Sequence, residues 1–172
     1  MADLSELTGH RRLAGARVVM MCGISGSGKT TVARMFEARG FVRMSLDGRI
    51  WERYGNGFAS LPEAERKAVF MTEGQALCEA VCRLAGEGRR VVVDATMCKR
   101  AVRDRLRDGC REAGVEPVTV YMEAPKAVLA KRLTARHGLG PDDQIVSPGE
   151  LDSFYEGFEV PGVDEDAIVV RQ

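Results

Sequence analysis

Apolar runs of strand length alternate with longer stretches carrying a helical apolar stripe from one end of this chain to the other. Val18-Val19-Met20-Met21-Cys22 is an unbroken β-type run, and 31–39 after it reads as a helix. Phe41-Val42-Arg43-Met44-Ser45-Leu46 predicts a second short strand that ends at Asp47. Gly55-Asn56-Gly57 predicts a loop. Ser60-Leu61-Pro62-Glu63 then has the spacing of a capping box for a long helix over 61–86, with Val69, Leu77, Val81 and Leu84 on one stripe. The consecutive valines of 90–95 predict a buried strand. A helix over 99–113 follows, with Val102, Leu106, Cys110 and Ala113 inward, then a strand over 117–123. A helix over 125–136 carries Val128, Leu129 and Leu133, residues 137–147 read as loop, and Ser147-Pro148-Gly149-Glu150 repeats the capping-box spacing. A last strand is expected over 164–170. Strand and helix alternating in this way predict a parallel sheet covered by helices on both faces, with ligands outside the carboxyl ends of the strands.

The junction between the first strand and first helix carries the chemistry. Gly23-Ile24-Ser25-Gly26-Ser27-Gly28-Lys29-Thr30 fits Gly-x4-Gly-Lys-[Ser/Thr], a loop that cradles phosphates. Glycines let the backbone turn tightly and aim successive N–H groups at phosphate oxygens, and the helix that starts there adds its positive end. The expected nucleotide site is Gly23, Ser25, Gly26, Ser27, Gly28, Lys29, Thr30 and Thr31. Lys29 is placed to bridge the β- and γ-phosphates of ATP, and Thr30 to offer its hydroxyl to Mg²⁺. The bland alternative is a Gly/Ser-rich turn that happens to hold a lysine; the strand–loop–helix context weighs against it.

Composition narrows the remaining possibilities. At 172 residues, with 45% apolar and 29% charged residues, the length and balance fit one ordinary soluble domain, expected over 17–172 after a short lead-in at 1–16. The lead-in lacks the apolar stretch of a signal peptide, so a cytoplasmic location is expected, and no run approaches a membrane span. A formal net charge of zero gives no bulk signal for a nucleic-acid or membrane surface. Cys22, Cys78, Cys82, Cys98 and Cys110 lack metal-ligand spacing and read as small core side chains.

Two carboxylates stand at strand ends beside the phosphate loop. Asp47 is placed to take a proton from an attacking hydroxyl, the alternative being a turn aspartate before Gly48. Asp94 ends the third strand, where a carboxylate holds Mg²⁺ directly or through water; a helix-entry cap is its alternative. Arg132 and Arg136, four apart, are expected on one helix face that folds over the phosphates, as part of a lid over about 132–150, against the alternative of a solvated face. Arg49 is a candidate contact to the acceptor or the transferred phosphate. Trp51 and Tyr54 are candidates either for stacking on an acceptor ring or for the core. Arg100, Arg103, Arg107 and Arg111 form a stripe that could meet a polynucleotide backbone, but interleaved Asp104 and Asp108 favour a solvated, salt-bridged face.

Over about 17–170 the chain resembles the small P-loop kinases of the polynucleotide-kinase type, also called AAA-family predicted kinases. The resemblance rests on the phosphate loop, Ser45-Leu46-Asp47-Gly48-Arg49, the run Gly88 to Thr96 with Arg100 and Arg103 after it, Arg132 to Arg136, and Phe158-Glu159-Val160-Pro161 with Glu165 beyond. It implies a three-layer α/β/α P-loop NTPase fold, a five-stranded parallel sheet of order 2-3-1-4-5 and an arginine-bearing lid. It also implies Asp47 as catalytic base, Asp94 as organiser of Mg²⁺ and acceptor, and Arg132 and Arg136 over the phosphates. One departure is that Arg49 stands two residues after Asp47, where polynucleotide kinases usually have an arginine three after. The expected activity is transfer of the γ-phosphate of ATP to a hydroxyl of a small molecule or a polynucleotide 5′ end. The rival is a regulatory NTPase without an acceptor. A GTPase is disfavoured, because no Asn-Lys-x-Asp motif is present and Asp94 is followed by Ala-Thr-Met.

Overall fold

The computed structural model describes residues 7 and 9–172. Five parallel strands, β1 (Val18–Cys22), β2 (Val42–Ser45), β3 (Val91–Asp94), β4 (Val118–Glu123) and β5 (Ile168–Arg171), form one sheet in the order β2-β3-β1-β4-β5. The central β1 is buried at every position. Its Val19 is paired with Val92 of β3 and Val118 of β4, and the register at the far edge sets Ser45 beside Asp94. Burying each such valine side chain contributes about 1.5–3 kcal/mol, so the strand that launches the phosphate loop is among the most firmly held pieces of the molecule.

Side chains alternating along the strands feed two cores. Val19 and Met21 of β1 pack with Val32, Ala33 and Phe36 of α2 (Lys29–Glu37) and with Leu7 and Leu13. The latter belongs to the short α1 (Arg11–Ala14). Val18, Met20 and Cys22 pack on the opposite face with Leu77 and Val81 of α4 (Glu63–Gly86) and Leu106 and Cys110 of α5 (Arg100–Glu112). A third cluster joins Ile24 of the phosphate loop to Leu129 and Leu133 of α6 (Lys126–Thr134) and Leu151 of α7 (Pro148–Glu156). The fold is the three-layer P-loop arrangement expected. Among the described residues no helix is long and apolar enough to cross a membrane.

Local details depart from the sequence reading. The lead-in packs where it is described, since Leu7 and Leu13 are core residues; the remainder of 1–6 and residue 8 lies outside the described residues. The helix after the phosphate loop begins at Lys29, two residues earlier than expected, and the second strand stops at Ser45, so that Asp47 lies in the first turn of α3 (Leu46–Tyr54) and not at a strand end. The Ser60 capping box does not form. A 3₁₀ turn over Gly55–Ser60 consumes that serine, and Pro62 enters α4 without a side-chain cap. The Ser147–Glu150 box forms in full. Val102 is exposed where an inward position was expected, because Arg103 and Arg107 take the inner face beside Leu106. The last strand starts at Ile168, since Val163–Glu165 forms another 3₁₀ turn.

Candidate active site

The phosphate loop is shaped by its glycines. Gly28 enters α2 with φ 91°, and Gly26 has φ 85°, both in the left-handed region open to glycine. A Cβ at Gly23 would lie 2.7 Å from the Met122 carbonyl oxygen and from Ser27 Oγ, so the loop closes tightly on β4. Among the described residues, the backbone N–H groups of Gly26, Gly28, Lys29, Thr30 and Thr31 have no protein acceptor, whereas Ser27 N–H donates to the Ile24 carbonyl at 3.1 Å. Buried Lys29 folds inward and donates to that same carbonyl at 3.0 Å. Unpaired amides at a helix start beside an ammonium make a cradle for phosphate oxygens.

Both expected carboxylates are in the same crevice. Asp94 is buried at the end of β3, and its Oδ1 accepts from Thr30 Oγ1 at 3.3 Å. Oxygen donors of this kind suit a hard cation such as Mg²⁺. Asp47 is placed at the start of α3 by Ser45, whose Oγ caps the helix by accepting from Gly48 N–H at 3.0 Å. Its side chain is exposed. Protein crowding around it pushes its carboxyl above the usual aspartate range, the Lys29 charge pulls it down, and Asp94 pushes it up again. Burial moves the Lys29 ammonium below the usual lysine value, with Asp94 and Asp47 opposing. Three strand tips thus bring Lys29, Thr30, Asp94 and Asp47 together.

The arginines divide. Arg132 donates to the Gly26 carbonyl and to Gln172 Oε1, each at 3.1 Å, and Arg136 donates to Ser25 Oγ at 3.3 Å and to the Gln144 carbonyl at 3.2 Å. They do not share a helix face, because α6 stops at Thr134 and Arg136 lies beyond its cap. Arg49 turns instead to α4, where it and Arg53 both donate to the buried Glu73. Its Nε and Nη2 lie 3.3 and 3.2 Å from Glu73 Oε2. Trp51 is half-buried on α3, while Tyr54 continues into a row of rings, 6.1 Å from Phe58, itself 5.2 Å from Phe70.

The arginine stripe of α5 is only half the solvated, salt-bridged face expected: Arg100 pairs with Asp104 and Arg111 with Asp108 in the open, whereas Arg103 and Arg107 are buried. Arg103 is 0% exposed and donates to Glu165 through Nε and Nη2 at 2.6 and 2.8 Å; Arg107 joins from 3.2 Å. Arg100 grips Asp164, and Arg111 grips Glu116. The buried pair, Arg103 and Arg107, is an internal clasp on the segment before β5.

Two contributors to the crevice went unread. Arg43, in the middle of β2, donates to Asp94 Oδ2 through Nε at 2.9 Å and Nη2 at 2.6 Å. The same Nη2 donates at 2.9 Å to Oδ1 of Asp142, from the 3₁₀ turn Pro141–Asp143. A charged residue inside a four-residue strand next to the strand ending in Asp94 was the available signal for Arg43. Asp142 had none, since its partners are remote in sequence.

A family model described as AAA domain matches residues 18–161. The chain belongs to that family. No curated protein matches its sequence. Solved structures similar to it include a sugar kinase from Janibacter sp. HTCC2649, at 23% identity and TM-score 0.67, covering 91% of this chain and 85% of that one. A gluconokinase from Sinorhizobium meliloti 1021 aligns at 23% identity and TM-score 0.60, covering 90% and 81%. Chaetomium thermophilum Kti12, in complex with ADP-AlF3, aligns at 18% identity and TM-score 0.67, covering 90% and 88%. Likeness at these identities establishes the fold, and this AAA-domain chain is a small P-loop protein of kinase-like architecture.

Proposed function

We propose that the chain is an ATP-dependent phosphotransferase that moves the γ-phosphate to an alcohol. The observation that carries the reading is Asp47 in the first turn of α3: an exposed carboxylate within the fields of Lys29 and Asp94 at the strand tips. A nucleotide switch needs the cradle but has no use for a proton acceptor beside it.

In this mechanism the loop amides and Lys29 bind the phosphate tail. Thr30 and Asp94 would hold Mg²⁺, which supplies positive charge to the phosphate oxygens. Asp47 takes the proton of the acceptor hydroxyl as its oxygen bonds to the γ-phosphorus and the bond to the β-phosphate bridging oxygen breaks, releasing ADP. Arg132 and Arg136 neutralise charge on the group in transit and belong to a lid that includes 137–147. A small-molecule alcohol is favoured over a polynucleotide end, because the α5 arginines that would track a phosphate backbone are occupied by carboxylates. Similarity to a sugar kinase and a gluconokinase supports the same choice. The likeness to Kti12 keeps one rival: hydrolysis without an acceptor.

The test is a screen with γ-labelled ATP over sugars, sugar acids, nucleosides, aminoglycoside-like alcohols and 5′-hydroxyl oligonucleotides. Label is expected in a small alcohol; label only in inorganic phosphate would favour the rival. With an acceptor in hand, Asp47→Asn should slow transfer by about 10²–10⁴-fold while ATP affinity stays within a few-fold. Normal transfer by that variant would remove Asp47 from the mechanism.

A further inference from the structure

The contact between Arg43 and Asp142 has a consequence for how the site closes. One guanidinium holds two carboxylates of different origin: Asp94 at the tip of β3, and Asp142 from the 137–147 segment. The second oxygen of Asp142 accepts from Arg34 Nη2 of α2 at 2.7 Å. The arrangement is enclosed at its centre, with side-chain exposures of 14% for Arg43 and 4% for Asp94, and it opens outward to 61% at Arg34. Enclosure matters, since charge pairs gain strength as solvent screening falls. The segment has a second fastening where Arg136 meets Ser25. Its internal shape is kept separately by Asp143, whose Oδ2 accepts from His137 N–H at 3.0 Å and Leu139 N–H at 3.1 Å.

We propose that Asp142 is a positioning residue that locks the 137–147 segment over the phosphate loop. Arg43 ties that lock to the metal-side carboxylate by gripping Asp94 with the same guanidinium. The lid is then registered on the sheet itself: it docks only where Asp94 is already oriented. The two arms are unequal. Losing Asp142 frees the lid but leaves Arg43 on Asp94. Losing Arg43 leaves Asp142 on the exposed Arg34 alone and leaves Asp94 without its cation. The link to turnover rests on the kinase reading; the lock itself does not.

Hydrogen–deuterium exchange on the free protein, with no nucleotide or acceptor, therefore tests it. Amides of 137–147 should exchange about tenfold faster in Asp142→Asn and in Arg43→Gln, while those of β1 and β4 keep their protection. The double variant should go no more than about twofold beyond the faster single one, because Arg43 holds the segment through Asp142. Asp143→Asn is the comparison: it loosens the segment's own turn, so its effect should add to that of Arg43→Gln. Exchange in Asp142→Asn within twofold of wild type, or full additivity of Asp142→Asn with Arg43→Gln, would overturn the lock. Faster exchange in a protein that phosphorylates no acceptor would uphold the lock and count against the kinase reading alone.

Discussion

Two buried ion networks flank the same sheet, and they differ in how completely they are satisfied. On α5, Arg103 spends its guanidinium on Glu165 and on the carbonyls of Met97 and Glu159, and Arg107 closes the remaining side. Nothing there is left to bind a ligand. Around the phosphate loop, Asp94 is shared between Thr30 and Arg43, Lys29 rests on a carbonyl of its own loop, and a run of amides donates to no protein group among the described residues. A saturated network fixes a chain segment in place. An unsaturated one, held rigid by the strands beneath it, is arranged for a partner that the protein does not supply.

The sharpest way to break this contrast is to delete one cation from each side. Lys29→Ala should reduce phosphate transfer by about 10²–10³-fold, the range lost with a preorganised charge-stabilising donor. Its melting temperature should stay within a few degrees. Arg103→Met should do the reverse. It leaves Glu165 buried without its main partner, which costs about 3–5 kcal/mol. In a chain of this length that lowers the melting temperature by roughly 6–20 °C, measurable by calorimetry. A stable Arg103→Met protein or a collapsed Lys29→Ala protein would erase the distinction.

Acid sharpens it further. Hydrogen bonding from Arg103 depresses the Glu165 carboxyl from an ordinary 4.5 to about 2. Stability from this group is fully present above pH 4.5 and is lost as pH falls from there through about 2, a change of about 3 kcal/mol for the shift involved. Glu165→Gln should flatten the pH dependence of urea midpoints in that window; an unchanged slope would show that the clasp is not what acid dissolves. The smallest effect is expected at the edge of the same helix. Arg111→Ala removes an exposed pair with Glu116 and should leave the urea midpoint within experimental error of the wild type in the same titrations.

What the sequence disclosed follows from the distance over which each interaction is written. The phosphate loop is eight consecutive residues between a strand and a helix, and the valine runs set the parallel sheet, so both are local patterns. Asp94 was legible because a strand end is itself a local feature, and Asp47 because it follows one within two residues. The strand order was available only through family resemblance. Arg43 and Asp142 stand far apart in the chain and only the folded sheet joins them, so no spacing rule could pair them. Arg103 and Arg107 looked solvated because their periodicity matches that of an exposed salt-bridged face. Burial came from Glu165, which the chain brings back across α5 more than fifty residues later. The Ser60 box failed for a nearer reason: a short 3₁₀ turn competed for the same serine.

Trp51 is the single tryptophan of the sequence, and it lies half-buried on α3, the helix whose first turn holds Asp47 and which packs against the Pro141–Asp143 turn. Its indole emission comes from one place in the molecule. Native fluorescence therefore offers an unlabelled optical probe of that helix, able to register an occupant of the crevice and the arrival of the turn in real time.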